Sequence, residues 1–482
     1  MSEKKYYTTV GLEVHAELKT QTKMFCNSKN DPDEERPNVN ICPVCMGHPG
    51  TLPVVNKEAV KHVLKVGVAV GGELADFTEF DRKNYFYPDI PKGYQISQYK
   101  YPLVSGGELA GVKLTRVHLE EDTGTSKHEE GDFSLVDFNR AGVPLMELVT
   151  EPVIHSAEEA TNFAKELQLL LRTLGAGEAN MEKGEMRVEA NISVSDDPKK
   201  FGTKVEVKNL NSFRSVGRAI EYEVERHIRM IEKGEKIEQE TRGWDETKET
   251  TYSQRKKEDS HDYRYFPDPD IPKLWISEIP EFSAENLKKE MPELPWIKRE
   301  KYKKYKLKPE EIEVSLQHPT LGDYIEELSR EFKEDIEHVR LAANYLYSDI
   351  LGILKSATKA GETFDFSKSE KMITPKQLAE ITRMLKSGEI SSRGAKDILA
   401  VIMKDGGDPK KIADEKGLIQ KSDPEALKKI IEKIIADNPK AVSEYKAGKL
   451  NNLQFLIGQA MKETKGSANP ALLKELFEGA LK

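Results

Sequence analysis

The chain has 482 residues, 37% hydrophobic and 33% charged, with a formal net charge of −9. That length allows about three domains and ample buried core. The acidic balance argues against a wholly basic nucleic-acid coat; the lack of any run of ~18 apolar residues excludes a membrane helix; three cysteines, all before Met46, exclude a disulfide framework.

The opening MSEKKYYTTV has no apolar signal core and is too acidic and short for a transit peptide, so a cytoplasmic location is the expectation. Tyr7–Leu18 alternates. Val10, Leu12, Val14, Ala16 and Leu18 share one face, and Thr9, Glu13, His15 and Glu17 the other. Period-two alternation predicts a half-exposed strand, usually antiparallel. Glu13 and His15 then point the same way, either as a solvated face or as two donors to one cation. Cys42-Pro43-Val44-Cys45 is a C-x-x-C knuckle that Cys26 can join. With His48 as a fourth donor it would hold zinc; otherwise it is a reduced, metal-free loop.

The stretch DRKNYFYPDIPKGYQISQY offers Arg82 and Lys83 beside the aromatic run Tyr85-Phe86-Tyr87. Further on, Arg116, His118 and Glu120 alternate onto one face. Glu120-Glu121-Asp122 is either a turn or a set of acids joined by a cation or base. Glu147 lies inside the apolar stretch Val143-Pro144-Leu145-Met146-Glu147-Leu148-Val149. An ionised carboxylate there is costly unless paired or metal-bound. An ion pair with Arg140 is the simpler reading.

A helix is predicted over Ser156–Leu174, opened by the capping box Ser156-x-x-Glu159 and closed at Gly175. Strands follow at Arg187–Ser195 and Lys204–Lys208, then a helix from near Ser212 to Gly234. The segment Arg242–Pro272 reads as a long charged loop. It carries a second aromatic run, Tyr263-Arg264-Tyr265-Phe266, suited to core packing or to stacking on a base.

Past Pro295 strand signals fade. Thr374-Pro375, Asp423-Pro424, Asn438-Pro439 and Asn469-Pro470 each read as an N-cap followed by Pro at the first helical position. The expected class is α+β: an antiparallel-sheet domain over 1–293, a helical domain over 294–405 and a helical tail over 406–482. From Lys371 onward 21 Lys/Arg face 15 Asp/Glu, a basic tail on an acidic body. Lys446, Lys449, Lys462 and Lys465 flank glycines at predicted helix ends, where they form a solvated face or approach phosphates.

Glu13, His15, Glu120 and Glu147 together would make an oxygen-rich site with one nitrogen, suited to Mg²⁺ or Mn²⁺. The implied chemistry is phosphoryl transfer. No P-loop or GxGxxG occurs, so any ATP would lie on the sheet. Arg82, Lys83, Arg187, Lys204, Lys208 and Arg264 are the cations available to it.

The motifs GLEVHAEL, CPVC, HPGTLPVVN, FDRKNYFYPDIPKGYQISQY, HLEEDTG, LVDFNRAGVPLMELVTEP, VKNLNSF, TRGWDE, DYRYFPDPDIP and GQAMKETKGSANP occur in this order. With them the chain resembles, from about Val10 to Lys482, the B-subunit family of bacterial aspartyl/glutamyl-tRNA amidotransferases. The resemblance implies a cradle domain related in fold to glutamine synthetase, a helical domain and a small tRNA-gripping tail. It implies a heterotrimer in which the chain joins an amidase, the A component, and a small C component. The amidase releases ammonia. The B component uses ATP and Mg²⁺ to phosphorylate the side-chain carboxylate of Glu-tRNA(Gln) or Asp-tRNA(Asn), and ammonia then displaces the phosphate. The family's metal ligands match Glu13, His15, Glu120 and Glu147.

Three positions depart from the family pattern. Cys26-Asn27-Ser28 stands where many members carry C-x-C, which removes a zinc ligand. Glu189 and Asp268 stand where the family has Asp and Glu. The archaeal paralogue carries a late inserted domain for which the helical region leaves no room. A tRNA-binding scaffold without chemistry would not need the four ligand types, and a zinc hydrolase would need a complete cysteine set.

Overall fold

In a computed structural model, which describes residues 5–128, 132–256, 262–357, 373–420, 424–464, 468 and 470–481, the alternating N-terminal segment is strand β1 (Tyr7–Glu17). Helix α1 (Lys57–Ala69) follows, capped by the Asn56 side chain. Then come β2 (Glu73–Leu74), β3 (Phe77–Thr78), β4 (Asp81–Asn84), β5 (Tyr94–Ser97), β6 (Val104–Ser105) and β7 (Glu108–Leu109). The next strands are β8 (Val112–Glu121), β9 (Thr125–His128), β10 (Ser134–Asp137) and β11 (Pro144–Thr150). Helix α2 (Ala157–Thr173), β12 (Met186–Ser195), β13 (Val205–Leu210), α3 (Phe213–Lys233), β14 (Glu240–Asp245), β15 (Thr250–Lys256), β16 (Phe266–Pro267) and β17 (Leu274–Trp275) complete the sheet region.

Ten of these strands form one sheet in the order β15-β14-β13-β12-β1-β11-β8-β6-β2, with β7 beside β8. The pairings are antiparallel except β13 with β14, which run parallel. The apolar face of β1, from Val10 to Ala16, is buried together with Val188, Ala190, Ile192 and Val194 of β12. Helices α2 and α3 pack on each other, and α3 on β12. Phe163, Leu167, Val216 and Ile220 on these two helices are each 1% exposed or less. Burying one face of a pleated sheet fixes its register, because a one-residue slip would turn every side chain over. The polar face of β1 is thereby committed to the other side.

Two details of the sheet region differ from the sequence expectations. Ser156 caps α2 through the Glu159 N–H, but the Glu159 carboxylate accepts from His155 N–H rather than completing a reciprocal box. The expected loop Arg242–Pro272 instead holds β14, β15 and β16. Helix α3 covers one side of the β14–β15 hairpin, where Arg242 and Thr251 meet the buried Glu223. A charged strand is stable at a sheet edge when its inward charges are paired.

The chain divides into two compact units, 1–295 and 296–482. The first closes with α4 (Ala284–Glu290). Helix α5 (Pro295–Lys304) opens the second, followed by α6 (Pro309–Gln317), α7 (Pro319–Glu331), α8 (Ile336–Tyr345), α9 (Leu351–Ala357), α10 (Pro375–Lys386), α11 (Ser392–Asp405) and α12 (Pro409–Glu415). The last helices are α13 (Pro424–Asp437), α14 (Pro439–Lys446), α15 (Asn451–Glu463) and α16 (Pro470–Leu481). Leu427, Ile431, Leu453, Leu456 and Phe477 form the core of these four. Thr374 and Gln377 make a full capping box at α10. Asn438 does not cap α14; its side-chain amide donates back to the Ile434 carbonyl. Asp423 and Asn469 lie outside the described residues. No described helix is long and apolar enough to cross a membrane.

Candidate functional site

Strand register assembles the site. His15 on β1 pairs with Glu147 on β11 and, on its other side, with Arg187 on β12. Glu147 in turn pairs with His118 on β8. Glu13 sits opposite Glu189. All these side chains stand on the face opposite the apolar core.

His15 Nε2 lies 3.4 Å from Glu147 Oε2, and 3.7 Å from both Glu13 Oε1 and Glu120 Oε1. His118 Nε2 lies 3.5 Å from Glu147 Oε2, and Arg116 donates to the other Glu147 oxygen at 3.2 Å. Ser97 on β5 donates to Glu120 at 3.1 Å. Glu120 and Glu147 are 2% and 5% exposed. The four residues singled out from sequence are thus brought together. The alternative ion pair of Glu147 with Arg140 is not made: Arg140 donates to the carbonyls of Thr123 and Gly124 and lies 3.8 Å from Asp122.

The electrostatics describe a site rich in negative charge. Burial, aided by Glu147 and Glu189, pushes the Glu13 carboxyl up to about 7. Burial alone would lower the His15 imidazole, but Glu147 and Glu120 override it and bring it to about 9. Burial opposes ionisation of Glu147, yet His118, His15 and Lys83 hold it well below the usual carboxylate range. Burial lowers the His118 imidazole, against the opposing pull of Glu147 and Glu120. Carboxylates forced to share one space in this way favour a bound cation.

The donor atoms of Glu13, His15 and Glu147 lie within 4.8 Å of one another; so do those of His118, Glu120 and Glu147, and of Glu13, Glu189 and Glu206. His118, Glu189 and Glu206 were not singled out as site residues from sequence. For His118 the available signal was its shared parity with Glu120. For Glu206 the signal exists only in the β12–β13 pairing.

The three consecutive acids part company. Glu120 enters the site. Glu121 turns to the other face, pairing with Lys92 and accepting from the Ile96 N–H. Asp122 takes Arg187 at 2.9 Å. Of the expected nucleotide-binding cations, Lys83 lies beside Glu120 and Glu147, which raise its basicity against the effect of burial. Lys208 lies 3.0 Å from Glu189. Arg187 is engaged by Asp122. Lys204 and Arg264 are exposed, Arg264 beside Asp262. Arg82 is bound to Asp268 and Asp270.

Cys26, Cys42 and Cys45 converge, their sulfurs within 4.8 Å of one another. Zinc would find three thiol ligands but, among the described residues, not a fourth: Ser28 Oγ stands 3.9 Å from Cys45 Sγ, and His48 is not in the group. The residues present do not complete a structural zinc site. In the second unit, Lys446, Lys449 and Lys462 are exposed at the ends of α14 and α15. Lys465 lies outside the described residues.

Comparison with known proteins places this geometry in a family. The GatB/GatE catalytic domain matches residues 8–280, and the GatB domain matches residues 323–481. The B-subunit of the aspartyl/glutamyl-tRNA(Asn/Gln) amidotransferase from Crocosphaera subtropica is 42% identical, covering 99% of this chain and 98% of its own. Those of Thermotoga petrophila and Carboxydothermus hydrogenoformans are 42% and 41% identical, covering 99% of each chain.

Proposed function

This chain belongs to the B-subunit family of the aspartyl/glutamyl-tRNA(Asn/Gln) amidotransferases, and we propose that it carries out the ATP-dependent activation step of that ligase. The reaction begins with a misacylated Glu-tRNA(Gln) or Asp-tRNA(Asn). An oxygen of the side-chain carboxylate attacks the γ-phosphorus of ATP, and ADP leaves. Ammonia from an amidase partner, the A component, then attacks the acyl carbon and phosphate departs, leaving the amide. A small C component completes the heterotrimer, which works in the cytoplasm. The likeness of the cradle to glutamine synthetase and a boundary near residue 405 are parts of the same reading.

The observation that carries it is the convergence of Glu13, His15, Glu120 and Glu147 from three adjacent strands onto one largely buried, anionic spot. These residues would hold Mg²⁺, which when bound neutralises phosphate oxygens as charge moves between them. Glu147 and Glu189 add to burial in raising the Glu13 carboxyl, a repulsion that a bound cation would relieve. His118, Arg116 and Ser97 fix the rotamers of Glu147 and Glu120, so the carboxylates meet a cation without reorganising. Lys83 on one flank and Lys208 on the other supply charge to the substrates; Arg187, in the same strand row as His15, and the exposed Lys204 and Arg264 are the remaining nucleotide contacts. Lys446, Lys449, Lys462 and Lys465 hold the tRNA body. Zinc is given no step.

The test is ADP release by the complex reconstituted with its A and C partners, given ATP, Mg²⁺ and Glu-tRNA(Gln). Release should require charged tRNA and disappear in Glu147→Ala. Release untouched by that substitution would overturn the placement of the site. Release absent with both Glu-tRNA(Gln) and Asp-tRNA(Asn), while tRNA still binds, would favour a scaffold.

A further inference from the structure

The acid cluster has two unlike flanks. On the β13 side stands Lys208, between Glu189 and Glu206. On the β8 side lies the small sheet β16-β4-β5, joined to the cluster by the Ser97–Glu120 hydrogen bond. That flank is aromatic. Tyr99, just past β5, stacks on Tyr265, just before β16, with centroids 4.4 Å apart and planes 11° apart. Tyr263 packs edge-on to Tyr265 and to Tyr85. Lys83 lies over the Tyr263 ring at 5.2 Å.

This stack opens to solvent at Tyr99 and adjoins Lys83 through Tyr263. Tyr99 is 64% exposed. Tyr265 is half-buried, packed between the Tyr99 and Tyr263 rings. A parallel tyrosine pair whose outer member is mostly wet is a poor use of apolar area unless something else stacks on it. A base stacked on an aromatic ring is held without regard to its identity.

Phosphoryl transfer needs its donor and acceptor roughly in line, hence on opposite sides of the moving phosphorus. A triphosphate is best placed on the flank that offers a cation and no aromatic wall. The acceptor is the free side-chain carboxylate of an amino acid whose α-carboxyl is esterified to the terminal ribose of an RNA. Its carrier is a nucleoside arriving from solvent at the end of a large molecule. An open aromatic shelf suits that carrier, and Lys83 at the foot of the shelf suits its carboxylate.

Resting on the function proposed above, we infer that the Tyr99–Tyr265 stack seats the 3′-terminal base of the aminoacyl-tRNA, while the ATP phosphates take the Lys208 flank. Tyr99 is therefore a substrate-binding residue, not a core residue.

The test uses the reconstituted complex and tRNA carrying 2-aminopurine in place of its terminal adenine. Binding to the wild type should quench the probe at least about twofold, and Tyr99→Ala should abolish the quench. In steady state, Tyr99→Ala should raise KM for charged tRNA at least about fivefold, leave KM for ATP within about twofold, and be rescued by Tyr99→Trp. An undiminished quench in Tyr99→Ala would overturn the assignment. So would a rise in KM for ATP instead, which would seat the ATP adenine on the shelf. If the wild type shows no charged-tRNA-dependent ADP release, the proposed function fails, yet the quench still reports on the shelf. The two failures are thus separable.

Discussion

His15 and Glu147 face each other directly across the β1–β11 pairing, Nε2 to Oε2 at 3.4 Å, in a row that continues to His118 on one side and Arg187 on the other. Four adjacent strands therefore each place one polar group in line. Cross-strand neighbours of this kind sit at a spacing set by the backbone, about 4.5–5.5 Å between Cβ atoms. A site built on such a row is pre-organised by the sheet rather than by loops.

The first prediction concerns the cation. Glu147→Gln keeps the shape and removes the charge. Mn²⁺ affinity, read by electron paramagnetic resonance of the free ion, should fall by about tenfold or more. An unchanged affinity would place the metal elsewhere, with Glu189 and Glu206 the next residues to substitute.

The cysteine cluster gives a gain-of-function test. Ser28 Oγ is 3.9 Å from Cys45 Sγ, close to where a fourth thiol would stand. Ser28→Cys should create a four-thiolate site that takes up Co²⁺ with the strong visible bands of tetrahedral coordination. The wild type should show weaker uptake, lost on dialysis against a chelator. Equal retention by the two proteins would mean that three thiols suffice.

Glu223 provides a pH-dependent stability prediction. It is fully buried on α3, bonded to Arg226, to Thr251 and beside His227 and Arg242. Burial alone would raise its carboxyl, but His227, Arg226 and Thr251 outweigh burial and bring it down to about 2 from 4.5. A depressed carboxyl stabilises the fold above its unfolded value and loses that contribution as pH falls through the folded one. Glu223→Gln should cost on the order of 3 kcal/mol at pH 7, by urea unfolding of the full chain. The difference from wild type should narrow steadily between pH 4.5 and 2. A gap independent of pH across that window would show that charge is not the cause.

Two glycines separate backbone clash from side-chain clash. A Cβ at Gly202 would meet the Val194 carbonyl oxygen at 2.0 Å, whereas one at Gly243 would meet the far ends of the Gln254 and Tyr252 side chains at 2.5 and 2.6 Å. Gly202→Ala should lower stability by about 2 kcal/mol or more, and Gly243→Ala by about 1 kcal/mol or less. Thermal unfolding of both variants reads this directly, and the reverse order would refute it.

Much of the site was legible in the sequence. Alternation in β1 put Glu13 and His15 on one face, and an acid inside an apolar strand marked Glu147. His118 was less visible because a buried histidine at that parity serves equally well as core. The Arg242–Pro272 segment misled because its charges read as solvent-facing. In the structure Arg242 turns inward to Glu223, which lies on another element.

Local pattern by itself determined that β1, β12 and β13 are strands and that α2 and α3 are helices, which face of β1 was apolar, and which residue types were available for a cation. It did so because strand parity and helix caps depend on neighbours within a few residues. Only the tertiary structure decided that His118 and Glu206 border the site, that Arg140 leaves Glu147 to Arg116, and that Tyr99 stacks on Tyr265. Those relations join residues through strand register and sheet order, which long-range packing of the apolar face selects and which no local spacing encodes.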